Sequence, residues 1–133
     1  MRHLSLLLAL ALAGPAWAAD EAPLSAEAFA QAVTGKTLYF TRRGAPYGAE
    51  QYLPGREVIW TFLDGHCVRG RWYEAREHIC FVYENEPEPQ CWDFLETDRG
   101  LAARGEGADP VNDLVVAGES RAPLDCDGPV PGV

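Results

Sequence analysis

Basic residues are scarce in this chain. Eleven Lys and Arg stand against 20 Asp and Glu in 133 residues, a formal net charge of −9. Nucleic-acid binding needs clustered Lys and Arg to neutralise phosphates, so that class of function is disfavoured. Long apolar runs are missing too. Leu4 to Ala13 is ten residues of Leu, Ala and one Ser, about half of what a membrane-spanning helix requires, and nothing later is longer. Closely spaced cysteine pairs are absent: Cys67, Cys80, Cys91 and Cys126 are widely separated, unlike four-thiolate zinc sites, whose members pair across two to four residues. Beyond residue 18 the only serines are Ser25 and Ser120, which leaves a hydrolase triad little to draw on.

The amino terminus has the form of an export signal. Met1-Arg2-His3 is a short basic start, Gly14-Pro15 breaks the apolar run, and Ala16-Trp17-Ala18 is an A-x-A cleavage site. Cleavage after residue 18 leaves 115 residues, Ala19 to Val133. It removes one Arg and no acid, so the net charge moves to −10. A lipoprotein needs a Cys at the cut, and the first Cys is Cys67. The expectation is a single β-rich domain over residues 19–133, periplasmic or secreted, not a lipoprotein and not inserted in the membrane after cleavage.

An even cysteine count in a small exported domain reads as two disulfides. Four cysteines allow three connectivities, and local pattern favours one. His78 to Tyr83 and Gln90 to Leu95 are rich in β-branched and aromatic residues. A hairpin centred between Asn85 and Glu86 sets Cys80 opposite Cys91, leaving Cys67 with Cys126 to tie back a Pro- and Gly-rich tail. Between the strands, Glu84 to Pro89 reads as a polar tip whose prolines cannot join a sheet interior.

Along the chain, Ser25 to Gly35 reads as one short helix, with Ser25 as N-cap, Gly35 past its end, and Phe29 and Val33 on one face. Strand patterns follow at Thr37–Phe40, Glu50–Leu53, Arg56–Phe62, after the Leu63-Asp64-Gly65 turn, at the two cysteine strands, at Leu101–Arg104 and at Leu114–Ala117. Arg42 to Gly48 reads as a loop. A three-residue turn of type I plus bulge, with Gly65 at positive φ, places Trp60 opposite Val68 and Val58 opposite Gly70. It gathers Val58, Trp60, Phe62, Val68 and Trp72 on one face; a two-residue loop would mix them with Arg69. The fold class is therefore mainly β: an antiparallel meander of about eight strands, a small barrel or strongly curved sheet, behind one short N-terminal helix. Residues 19–24 and 127–133 read as loose ends.

Gly70-Arg71-Trp72, Ile79-Cys80-Phe81-Val82-Tyr83 and Cys91-Trp92-Asp93-Phe94 form a series of G-x-W, I-C-F-x-Y and C-W-x-F. From Leu24 to Phe94 this resembles a group of small exported bacterial β-proteins of unassigned function, with G-x-W, then L-C, then a later C-[YW] strand. The resemblance implies the same strand order and a Cys80–Cys91 bridge, and brings no catalytic residues. Cys67 and Cys126 depart from it.

No catalytic residue, cofactor or metal ligand is assigned. His78 and Asp93 face each other in the hairpin register, as half of a catalytic or metal site or as a cross-strand ion pair, and His66 beside the turn is a weak third ligand. Candidate binding residues are Tyr47 and Tyr52, with Trp60, Trp72 and Trp92 as groove lining or core; Arg42 and Arg43 as an anion contact; and Glu84, Glu86 and Glu88 as a contact for calcium or a basic partner, or a solvated tip. The leading expectation is a non-enzymatic module binding a small ligand or a protein. The alternatives are an inhibitor of a basic secreted enzyme of the lysozyme kind, steered by the negative charge, and a small hydrolase or metal site around His78 and Asp93.

Overall fold

The computed structural model describes residues 22–127 and, ahead of them, Gly14 alone. The rest of the leader assigned to residues 1–18, residues 19–21 and residues 128–133 lie outside the described residues. The helix α1 spans Ala26–Val33, and the Ser25 hydroxyl accepts from the Ala28 amide at 3.1 Å, satisfying one of the amides a helix start leaves unpaired. Phe29 and Val33, one turn apart, are fully buried. None of the described helices is long and apolar enough to cross a membrane.

Eight strands follow: β1 (Thr37–Arg42), β2 (Ala45–Tyr52), β3 (Glu57–Thr61), β4 (Cys67–Ala75), β5 (His78–Tyr83), β6 (Glu86–Thr97), β7 (Gly100–Gly105) and β8 (Leu114–Ser120). Each is antiparallel to the next, and β8 returns to pair with β1, so the meander closes into a barrel with no free sheet edge. Of the two expected architectures, the barrel is the one formed.

Three local expectations need correction. The segment expected to be a loop from Arg42 to Gly48 is mostly strand. Arg43 and Gly44, at φ 50° and 78°, make a two-residue turn, the conformation that suits a tight hairpin. Pro46 is tolerated in β2 because the β1–β2 register shifts beside it, between Phe40 and Thr41. Pro87 and Pro89 are likewise inside β6 rather than in a tip. The β5–β6 ladder is irregular between Phe81↔Gln90 and Tyr83↔Glu86, and pairing with β7 starts only at Trp92. Their missing amides therefore interrupt no ladder. Finally, the β3–β4 turn keeps the expected register, Trp60↔Val68 and Val58↔Gly70, but it is not a type I turn. Leu63 has φ 66°, its amide donating to the Thr61 hydroxyl at 3.1 Å, while the His66 amide donates to Asp64 at 3.0 Å. Those side-chain acceptors bend the loop before the strand geometry resumes. Phe62 lies beyond the last ladder pair, Thr61↔Cys67, and is 60% exposed rather than in the core.

The helix closes one end of the barrel. Phe29 meets Phe94 at 4.3 Å, Trp72 at 5.0 Å and Tyr52 at 5.7 Å between ring centroids, close enough for edge and tilted aromatic contacts. Leu24, expected in a loose end, donates its amide to the Phe94 carbonyl at 2.8 Å, and the Ala26 amide donates to Glu74 at 3.2 Å. These bonds hold the helix on the rim.

The C-terminal segment straps the outside. Ala122 accepts from the Thr37 hydroxyl, the Leu124 amide donates to Gln51, Cys126 is bonded to Cys67, and the Asp127 amide donates to the Gly65 carbonyl. The run crosses β1, β2 and β4 in turn. Thr37, which bonds to this segment, is buried although it alternates with the inward-facing residues of its strand. The second bridge joins Cys80 to Cys91, which are ladder partners. Both bridges are scaffold.

Two substitutions test this account. Phe29→Ala is expected to lower stability by about 3–5 kcal/mol, the usual cost of emptying a core aromatic site. The Cys67→Ser, Cys126→Ser double variant is expected to lose about 4 kcal/mol, from a closed loop of 59 residues. Urea unfolding followed by tryptophan fluorescence reads both.

Candidate functional site

Phe29 fills one end of the lumen, and the other end is open. There the barrel holds a cavity of about 290 Å³. Tyr47, Trp60 and Phe62 form its rim, each pair of rings 5.3–6.0 Å apart between centroids. Trp92 and Tyr83 line the wall, and Tyr52 and Phe94 lie deeper, toward the helix.

Two glycines make this lining possible. Gly70 is the ladder partner of Tyr83, and a Cβ there would stand 2.6 Å from the Tyr83 ring. A Cβ on Gly48 would overlap the Trp60 ring. Each glycine gives an aromatic ring a flat place on the sheet, as such close approach requires. The glycine of G-x-W thus serves to seat Tyr83.

Among the described residues, the carboxyl group of Glu50 lies inside. Glu50 has Leu38 and Trp60 as ladder partners on either side, so its side chain belongs to the inward row. It is 2% exposed and lines the cavity. The Tyr83 hydroxyl donates to its two oxygens at 2.9 and 3.1 Å. Burial pushes the Glu50 carboxyl well above its ordinary value of 4.5, and the hydrogen bond from Tyr83 offsets only part of that. Burial and the nearby Glu50 charge also push the Tyr52 and Tyr83 hydroxyls well above their ordinary value of 10.0.

The candidate residues from sequence divide between cavity and exterior. Tyr47, Tyr52 and Glu86 line the cavity, Glu86 at its mouth. Arg42 lies with its guanidinium 4.3 Å from the Tyr47 ring centroid, and its buried Nε has no hydrogen-bond partner among the described residues. Arg43 is exposed and donates to Asn112 at 3.1 Å. Glu84 and Glu88 are exposed on the hairpin and do not line the cavity. Trp72 is core, whereas Trp60 and Trp92 are lining.

His78 and Asp93 do meet, Nδ1 to Oδ1 at 2.7 Å, with Glu106 3.7 Å from Nε2. They are outside the cavity lining. His66 precedes β4 and His78 pairs with Ala75 at its far end. Nine residues of strand separate them, about 30 Å at ~3.3 Å each, so one ion cannot bind both. Among the described residues no group of three or more His, Cys, Asp or Glu could hold a metal ion. Ser25 caps the helix, and Ser120 accepts from the Ala122 amide.

Glu50 and Tyr83 escaped sequence reasoning. The available signal was Tyr52: with alternating faces, a buried Tyr52 puts Glu50 on the same inward face.

Glu50→Gln tests the cost of this burial. A carboxyl whose folded pKa is raised binds more protons folded than unfolded. Its contribution to stability is whole below the ordinary carboxylate range and declines as pH rises from 4.5 toward the folded value. Glu50→Gln removes that decline. Relative to the wild type, the variant is expected to gain about 1–3 kcal/mol, the ordinary scale for a poorly satisfied buried polar group, between pH 4 and pH 8. Urea unfolding at the two pH values measures it.

No family model, curated protein or solved structure matches this chain.

Proposed function

We propose that the protein is an exported, non-enzymatic barrel that binds a small molecule in its open lumen. The observation that carries the reading is the division of the lumen: Phe29 fills one half, and the other half is a cavity of about 290 Å³ lined by aromatic rings with one buried polar pair. An eight-stranded barrel is just wide enough to be packed solid or to hold one small ligand. Apolar walls with few convergent polar groups are the usual make-up of a ligand pocket, and this volume sits at the small end of the range. The two disulfides fit an oxidising compartment, in keeping with the export signal read from residues 1–18.

The inhibitor and hydrolase alternatives draw less support. An inhibitor would present a protruding feature to its target, whereas the exposed aromatic Phe62 stands at the mouth of the cavity. His78 and Asp93 are on the outer wall, away from it.

The test is binding of a neutral apolar fluorophore, N-phenyl-1-naphthylamine, to the disulfide-bonded protein. A saturable one-to-one rise in emission is expected. Val68→Trp, which narrows the mouth at a partly exposed position, is expected to weaken it at least tenfold with an unchanged circular dichroism spectrum. Absence of saturable binding to the wild type would contradict the reading.

A further inference from the structure

The charged side chains of the cavity lining are of one sign, Glu50 and Glu86, and this narrows the ligand. Glu50 offers two carboxylate oxygens, roughly four lone-pair sites, and the hydrogen bonds they accept there come from a single hydroxyl, that of Tyr83. Among the described residues the lining includes no Lys, Arg or His; the nearby Arg42 guanidinium lies over the Tyr47 ring and is outside the lining. The titratable groups that share the cavity with Glu50 are Tyr47 and Tyr52 on its own strand, Tyr83 on β5 and Glu86 on β6. None of these side-chain types carries a positive charge. The remaining lining is ring faces and aliphatic carbons, with the amides of Asn85 and Gln90 at exposed positions of the β5–β6 hairpin, and aromatic faces attract cations.

Resting on the ligand-binding reading above, we propose that the cavity selects an organic ammonium ion: a primary amine on a small apolar or aromatic body, its nitrogen on the Glu50 carboxylate and its body against the rings of Trp60, Tyr83 and Trp92. An ammonium group carries three donors and no acceptor. It supplies both the charge and the hydrogen bonds that the buried carboxylate lacks, where a neutral guest supplies neither charge nor enough donors. Burying a charge without a partner is costly, and burying it with one in good geometry is much less so. Glu86 at the mouth and the net charge of −9 act in the same direction, raising the local concentration of cations at the entrance. The volume fits a guest the size of a phenylalkyl amine better than a lipid or a peptide.

The experiment compares pairs that differ only in the polar end: benzylamine with benzyl alcohol, 2-phenylethylamine with 2-phenylethanol, tryptamine with tryptophol. Each is titrated by calorimetry at neutral pH into wild type and Glu50→Gln, alongside N-phenyl-1-naphthylamine. For at least one pair the amine is expected to bind wild type tenfold or more tighter than its alcohol. Glu50→Gln is expected to remove that preference, bringing each amine to within about twofold of its alcohol. Equal affinity of amine and alcohol across the series, or an amine preference that survives Glu50→Gln, would overturn the proposal while leaving a ligand-binding barrel standing, provided the fluorophore binds. Failure of amines, alcohols and fluorophore alike would overturn both.

Discussion

A closed barrel of eight strands encloses a lumen that side chains can just fill, and Phe29 determines how this one is divided. The ring is supplied by α1 rather than by a strand, and it enters from one end, where Tyr52, Trp72 and Phe94 surround it. That end is core. The aromatic residues of the opposite end have no such plug, so the same kind of side chain becomes lining. The helix is too short to be stable alone and depends on the barrel it closes. The strap formed by the C-terminal segment and the Cys67–Cys126 bridge holds the other elements in place from outside.

With the closed end supplying stability, the open end can carry a group that works against it. Glu50 places a carboxyl group among rings, hydrogen-bonded by the Tyr83 hydroxyl. A core selected only for stability would place an apolar residue there, since burial of an incompletely bonded charge is unfavourable. Around it, Gly48 and Gly70 give up side chains so that Trp60 and Tyr83 can lie flat against the sheet. Three departures from ordinary strand composition thus converge on one cavity. Departures from local rules that cluster in this way are the expected mark of a functional site.

Much of the scaffold was legible in the sequence because it rests on short-range pattern. The Trp60↔Val68 register followed from keeping apolar residues on one face, and the Cys80–Cys91 pairing from the strands on either side of the hairpin. What was misread depends on information that local pattern does not carry. Pro46, Pro87 and Pro89 look like strand breakers, and each sits where the ladder is irregular or one-sided. Phe62 looks like core, but the ladder ends one residue before it. Glu50 is hard to see because strand pattern marks only Glu50–Leu53 of the eight-residue β2, and a charged residue at the start of so short a run by itself gives no sign of facing inward. The cavity itself exists only once β8 has returned to β1, a pairing between segments about 80 residues apart that alternation cannot reveal.

The central claim is that Glu50 is a buried carboxyl inside an open, aromatic lumen. Its titration by 13C NMR, with the side-chain resonance assigned by its loss in Glu50→Gln, tests that most directly. The account predicts a midpoint well above 4.5, shifting downward when a bound ammonium ion stabilises the ionised form. A midpoint in the ordinary carboxylate range in the unliganded protein would contradict it, because it would place Glu50 in water rather than in the barrel.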